Sequence, residues 1–554
     1  MRWKGTAIST ATAALVLTTA LALTVNAPLG AQQTRAERSA YTETSTHADV
    51  VAFLDSLERA FPNTFVRGQI GTSGQGRVLP YLLISRPLVR DAAEARRSGK
   101  PIVYVQGNIH GGEVEGKEAL LALVRDLLAD TRPNVLDSIV LVAVPIYNAD
   151  GNDAFGPQER MRGAQNGPQL VGNRPNAQNL DLNRDYIKVE APETEASLRM
   201  FALFDPHVFM DLHTTNGSYH GYALTYSPSL HPAAMDPALA PAGPYTRDTL
   251  LPLIRERMRS RHRLETFDYG NFRGRDDVTS TQKAGWETYE HVPRFGTNYY
   301  GLRNRISILS EAFSHDPFER RVLASYHFVH ETLSAVAEQR ATVLARTATR
   351  PALPAGAQVA LRSQMTTTPF TAPVLVERLI ATGDSIRYEP GLRRGFRRSN
   401  VFTPVEMPVY DRFEATLRRP LPTAWLVPTG DSAFLARLAF HGLELRSINA
   451  TGGSAGRVEA ERFVVDSIVH AARPFQGHQE TRVVGHWERT RVDLRGTHVL
   501  VMASPRQALL AAILLEPESD DGLTTWNFLD ASLRVGAAHP VLRITGPLPR
   551  ALQR

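Results

Sequence analysis

The chain is expected to adopt an α/β fold: a largely parallel sheet covered by helices, followed by a second α/β or α+β region. Three observations point there. PIVYVQGNI (101–109) and DSIVLVAVPI (137–146) are short apolar runs with the character of buried strands. Between them, from Glu113 to Ala129, apolar residues recur every three to four positions, as on one face of a helix. HVFMDLH (207–213) and RISILSEAF (305–313) continue the pattern, each an apolar strand that ends in polar residues. Strand, helix, strand at this spacing argues for parallel pairing with helices over the sheet.

The remaining elements follow in order. Arg2 and Lys4 precede an apolar stretch from about Ala7 to Val25, and small residues end near Ala31. Residues 1–31 are therefore expected to be a secretory signal, and the protein to be secreted or periplasmic. HADVVAFLDSLERAFPN (47–63) has helical periodicity and stops at a proline, and VRGQIGTSGQGRVLPYLLIS (66–85) is expected as two strands joined by a Gly/Ser turn. A helix over 319–345 closes the first domain, placed at 40–345. RTATRPALPAGAQVALRSQMTTTPFTAP (346–373) is rich in Pro, Thr and Ala without periodicity and is expected to be a linker. Beyond it, TAWLVP, RFVVDSIV and GTHVLVMA are strand-like, with helices such as DSAFLARLAFHG and RQALLAAILLE between them, so 374–554 is expected to be an accessory domain. LEPESDDGLTTWNF (515–528) lacks the ligand pattern of the common calcium loop and is expected to be a solvated turn.

Composition narrows the classes. The chain has no cysteine, which leaves no disulfide framework and no thiolate chemistry. Its formal charge of +6 falls to +4 without residues 1–31, and the arginines are scattered rather than gathered in a stripe. Nucleic acid is thus not an expected partner. No stretch after the signal is long and apolar enough to span a bilayer.

GNIHGGEVEGKEALL (107–121) raises the question of a metal site, because His110 and Glu113 sit between a strand and a helix. The His-x-x-Glu spacing also occurs at His262/Glu265, at the end of a charged helix, and at His441/Glu444, where the intervening glycine is a helix stop. Only His110 stands at the carboxyl end of a buried strand, where open α/β sheets place their ligand crevices. A catalytic zinc typically takes three protein ligands from histidine and carboxylate and leaves one position for water. His213 in MDLHTTNG and Glu311 in ILSEAFSH end two further strands, so strand ends deliver two histidines, a glutamate and a spare carboxylate to one rim.

With NADG (148–151) and LDLNRDY (180–186), these residues resemble the zinc carboxypeptidase family, the carboxypeptidase A-like metallopeptidases, over about residues 45–335. The resemblance implies a mixed, largely parallel sheet sandwiched by helices and one zinc per chain, held by His110, Glu113 and His213. It implies Glu311 as general base for a zinc-activated water, Asn183 and Arg184 as ligands of the substrate's terminal carboxylate, and Asp181 as the acceptor that orients His110. For the arginine that polarises the scissile carbonyl it suggests Arg162, then Arg160; for the capping tyrosine, Tyr299 or Tyr300. Gly112 stands where some digestive members carry an arginine.

The expected activity is thus an exported zinc metallocarboxypeptidase acting on peptides with a free C-terminal carboxylate. Two alternatives stay open: the same metal site acting on cell-wall stem peptides or N-acyl amino acids, and a catalytically silent metal- or peptide-binding module. The long polar, aromatic segment 267–304 is expected to line the cleft.

Overall fold

In a computed structural model, the structure describes residues 32–548 except 275, 349–352, 354–355, 367–368, 386–388, 449–456 and 494–497. The expected signal, 1–31, lies outside the described residues. No helix among them is long and apolar enough to cross a membrane.

Eight strands form the main sheet: β1 (Phe65–Thr72), β2 (Val78–Ile84), β3 (Ile102–Gly107), β4 (Val140–Val144), β5 (Val208–Thr214), β6 (Leu224–Pro228), β7 (Thr266–Asp268) and β8 (Ile306–Ala312). Their order is β1-β2-β4-β3-β5-β8-β6-β7. The four central strands β4, β3, β5 and β8 are parallel, while β2 joins β4 and β6 joins β8 in antiparallel fashion. The sheet is therefore mixed and largely parallel. The carboxyl ends of β3, β5 and β8 lie side by side, and the β5–β8 register places Glu311 opposite His213.

Alternation along the strands divides the apolar residues between two faces. Val103, Val105, Leu141, Met210, Leu212 and Ile308 share a core with helices α1 (His47–Ala60), α2 (Glu115–Ala129) and α6 (Phe318–Glu338). Helix α1 starts at a capping box in which Thr46 and Asp49 bond each other's backbone N–H, satisfying two otherwise orphaned donors. The opposite face, with Tyr104, Val142 and Phe209, forms a second core with α3 (Pro192–Phe204) and α5 (Gly296–Leu302). That core runs on without a break into Val359, Leu361, Trp425, Trp526 and helix α8 (Ala508–Leu515) of the C-terminal region.

Part of the stretch expected to be a linker is regular structure. Strand β9 (Gln358–Met365) and the start of β10 (Phe370–Ala381) lie in it, with Val359 and Leu361 buried in the shared core. Pro- and Thr-rich composition hid two strands because each pairs antiparallel with a distant partner, β10 with β11 (Phe396–Tyr410) and β9 with β12 (Phe413–Pro420). The rest of the region is a six-stranded sheet of β13 (Ala424–Pro428), β14 (Glu444–Ser447), β15 (Arg457–His470), β16 (Thr481–Asp493), β17 (His498–Met502) and β18 (Ala538–Ile544), ordered β14-β17-β13-β18-β15-β16. The acids of 515–528 do not form a solvated turn. Glu516 and Asp521 are buried, bonded to the indole N–H groups of Trp425 and Trp526, and Glu518 accepts both arms of Arg419 at 2.7 Å.

Candidate active site

The loop after β3 is held by a residue that the metal motif does not include. Asn108, in the left-handed region at φ 65°, donates from its side chain to the carbonyls of His110, Gly111 and Glu113 at 3.1–3.3 Å. This curls the loop so that both motif side chains face the end of β5. The two glycines are required for close approach rather than for a left-handed turn. A Cβ on Gly111 would lie 2.1 Å from the Gly151 backbone, and one on Gly112 would lie 2.8 Å from Arg162 and from the Gly172 carbonyl. The NADG motif is the other half of this packing: Asn148 donates to the carbonyls of Ile109 and Arg174.

His110, Glu113 and His213 are buried together, with one ligand atom from each lying within 4.8 Å of the others. His110 Nδ1 is 2.9 Å from one Glu113 oxygen and His213 Nδ1 is 3.0 Å from the other. The outer nitrogens face carboxylates: His110 Nε2 bonds Asp181 at 3.0 Å, and His213 Nε2 sits 3.0 Å from Asp211. A carboxylate on the outer nitrogen fixes the tautomer that turns the Nδ1 lone pair inward. Two imidazole nitrogens and a carboxylate oxygen, converging at the buried floor of a polar cleft, fit one zinc ion. Although burial opposes it, His110 and then Arg162 hold the Glu113 carboxyl well below its usual range, so it is an anionic ligand.

The cleft above the triad encloses about 550 Å³. Glu311 lines it from β8, its Oε2 without a hydrogen-bond partner among the described residues. Burial pushes its carboxyl up to about 8, with His213 acting against the shift and the Glu113 charge adding to it. Asn183 and Arg184 also line the cleft. Asn183 Oδ1 accepts the Gly296 N–H at 2.9 Å, and the Arg184 guanidinium stacks on Phe295 at 3.9 Å while donating to the Asn183 carbonyl at 2.9 Å.

Four expected residues, Arg162, Arg160, Tyr299 and Tyr300, lie outside the cleft lining. Arg162 sits behind the triad, donating to Glu113 at 2.8 Å and to the Thr214 carbonyl at 3.2 Å, so its guanidinium is engaged by a ligand carboxylate and a strand end. Arg160 is exposed outside the cleft. Beside the triad it is Arg174 that lines the cleft, donating twice to Asp181 at 3.0 and 2.8 Å and facing Glu113 at 3.4 Å. It stands seven residues before Asp181 in GNRPNAQNLDLNR, a polar run with no periodicity to mark which side chain points inward.

Tyr299 and Tyr300 do not cap the site. Both are fully buried, Tyr299 bonded to His441 at 2.9 Å and Tyr300 stacked on Phe201 at 4.0 Å, because their helix faces the shared core. Tyr269 and Tyr289 line the cleft instead, with Glu290, Arg294 and Phe295, all from the segment expected to line it. The other two His-x-x-Glu pairs are structural: His262 bonds Glu331 on α6 at 2.8 Å, and His441 is buried at a helix stop where Gly442 takes φ 73°.

Residues 50–207 match the zinc carboxypeptidase family. Carboxypeptidase 2 of Trichophyton equinum is 24% identical over 485 residues, covering 85% of this chain and 81% of its own. Mouse carboxypeptidase D is 31% identical over 153 residues, 26% of this chain and 10% of its own. A metallo-carboxypeptidase structure from Burkholderia cenocepacia superposes with a TM-score of 0.38 at 17% identity, covering 53% of this chain and 69% of that one. The family match covers residues 50–207, within which lie His110 and Glu113; His213, which completes the triad, lies beyond it.

Proposed function

We propose that the chain is an exported carboxypeptidase that releases the C-terminal residue of peptides. The observation that carries this reading is the Asn183–Arg184 pair, which lines the same cleft as the triad and Glu311. A planar guanidinium fits a carboxylate, and stacking on Phe295 holds it in one orientation. Export is supported by the apolar stretch from about Ala7 to Val25 behind Arg2 and Lys4.

A zinc ion held by His110, Glu113 and His213 would supply Lewis acidity to the scissile carbonyl and to water. The chain's own residues do the rest. Arg184 and Asn183 fix the terminal carboxylate, which sets the last peptide bond over the triad. Arg174, held by Asp181, presents positive charge to the developing oxyanion. Glu311 takes the proton of the attacking water and returns it to the leaving amine. Burial and the neighbouring Glu113 charge raise the proton affinity of this carboxyl, and the charge of a bound zinc would oppose them.

The test is zinc content by elemental analysis, joined to amino-acid release from a peptide pool with and without a chelator. About one zinc per chain and chelator-sensitive release of C-terminal residues are expected, with release lost and zinc retained in Glu311→Gln. Zinc without release from peptides would redirect the reading to cell-wall stem peptides or N-acyl amino acids. Release that survives Glu311→Gln would remove its role as base.

A further inference from the structure

The cleft has a wall that the metal-bearing sheet does not supply. Phe475 and Glu480, from the connection between β15 and β16, line it together with Arg184 and Arg294. The tip of that connection is a tight turn. Phe475 and His478 exchange backbone hydrogen bonds at 2.7 and 3.0 Å, with Gln476 and Gly477 both at positive φ, 48° and 83°. Two positive-φ residues in a row give the turn whose twist matches a hairpin.

Two ion pairs fix this tip against the sheet region. His478 Nε2 pairs with Glu190 at 2.9 Å. Glu480 accepts from Arg294 at 2.8 Å, and Arg294 is held from behind by Asp521, which accepts its backbone N–H at 2.7 Å. Lys188 and Arg294 both lie over the Trp526 ring, at 4.5 and 4.9 Å. Phe475 lies beside the Trp526 ring, with 6.3 Å between ring centroids, and is still 38% exposed at the cleft, an apolar surface open to a ligand.

We propose that this tip completes the substrate site, and that Phe475 contacts the side chain of the residue being released, favouring apolar and aromatic leaving residues. The inference rests on the carboxypeptidase reading above. Its side of the cleft follows from Arg184: the terminal carboxylate is bound there, Arg184 lines the cleft with Arg294 and Glu480, and Glu480 is paired to Arg294, so the tip stands beside the leaving residue rather than the upstream chain. Its chemistry follows from the lining, where Tyr269, Tyr289, Phe295 and Leu309 join Phe475. Glu480 does not make the wall a cation site, because Arg294 already neutralises it.

The experiment compares kcat and KM of the zinc-loaded full chain on N-acylated dipeptides ending in Phe, Leu, Ala or Lys, for the wild type, Phe475→Ala and His478→Ala. The wild type is expected to favour Phe and Leu. Phe475→Ala should lower kcat/KM about tenfold on these, mainly through KM, and much less on the Ala substrate. His478→Ala, which frees the tip from Glu190, should move the Phe-to-Ala ratio the same way by a smaller factor. An unchanged ratio in Phe475→Ala, or a wild type that favours Lys, would overturn the proposal while leaving the carboxypeptidase reading intact. A zinc-loaded wild type that releases nothing from any substrate would overturn both.

Discussion

The floor of the cleft and its wall are built by different means. On the floor, three parallel strands end together and backbone register alone puts Glu311 across from His213. The wall is assembled from side chains far apart in sequence: Arg174 from a loop, Tyr269 and Tyr289 from the segment before α5, and Phe475 and Glu480 from the C-terminal region. Ladder hydrogen bonds hold the floor, whereas ion pairs and ring contacts hold the wall. Changes on the floor should therefore abolish the chemistry, and changes on the wall should retune it.

The sharpest way to break this contrast is His213→Ala. It should remove bound zinc and all measurable release while the circular dichroism spectrum stays native; full zinc occupancy in that variant would dismantle the floor as described. Next, Arg174→Ala should cost about 10²–10³ in kcat with zinc retained. A loss confined to Arg162→Ala, with Arg174→Ala near wild type, would return the polarising role to Arg162. Arg184→Ala should remove a charge-assisted contact of about 1.5–3 kcal/mol and so weaken free-carboxylate substrates by one to two orders of magnitude, while amidated ones change little. Equal loss on both would make Arg184 structural.

The smallest effect concerns the seam between the regions. Burial pushes His441 down to about 3, so it stays neutral while the unfolded chain, with an ordinary histidine near 6.5, takes up a proton. Its contribution is fully present above pH 6.5 and is lost as pH falls from there toward 3. Because His441→Gln lacks that proton uptake, its stability deficit should narrow on acidification, by up to about 1.4 kcal/mol per pH unit. Urea titrations of both proteins at pH 7 and pH 5 measure this, and a constant deficit would place His441 in contact with water.

The legibility of the site follows the same division. His110, Glu113, His213 and Glu311 are readable because each lies at or just beyond the carboxyl end of a strand whose apolar run is local in sequence. Asp181 was readable from its motif, and it does bond His110. Arg174 carries no mark in the sequence because loop geometry, with Asn148 holding the Arg174 carbonyl, decides that it rather than Arg162 lines the cleft. Tyr299 and Tyr300 were misplaced because their burial depends on His441 and Phe201, partners 142 and 99 residues away. The strands inside the expected linker are hidden for a related reason: flanking Pro and Thr mask the short Val359, Leu361 alternation of β9, whose partner strand β12 lies beyond two further strands.

The unbroken core between the main sheet and the C-terminal region bears on how such proteins can diversify. Grafting a foreign C-terminal region onto this sheet would have to supply, at once, a partner for Tyr299, a carboxylate behind Arg294 and an apolar cover for Val142 and Phe209. The two regions are therefore expected to vary in concert rather than to be shuffled as interchangeable modules. New substrate preferences would then arise most readily at Phe475, whose side chain makes neither of the tip's ion pairs across the seam and lies off the metal floor.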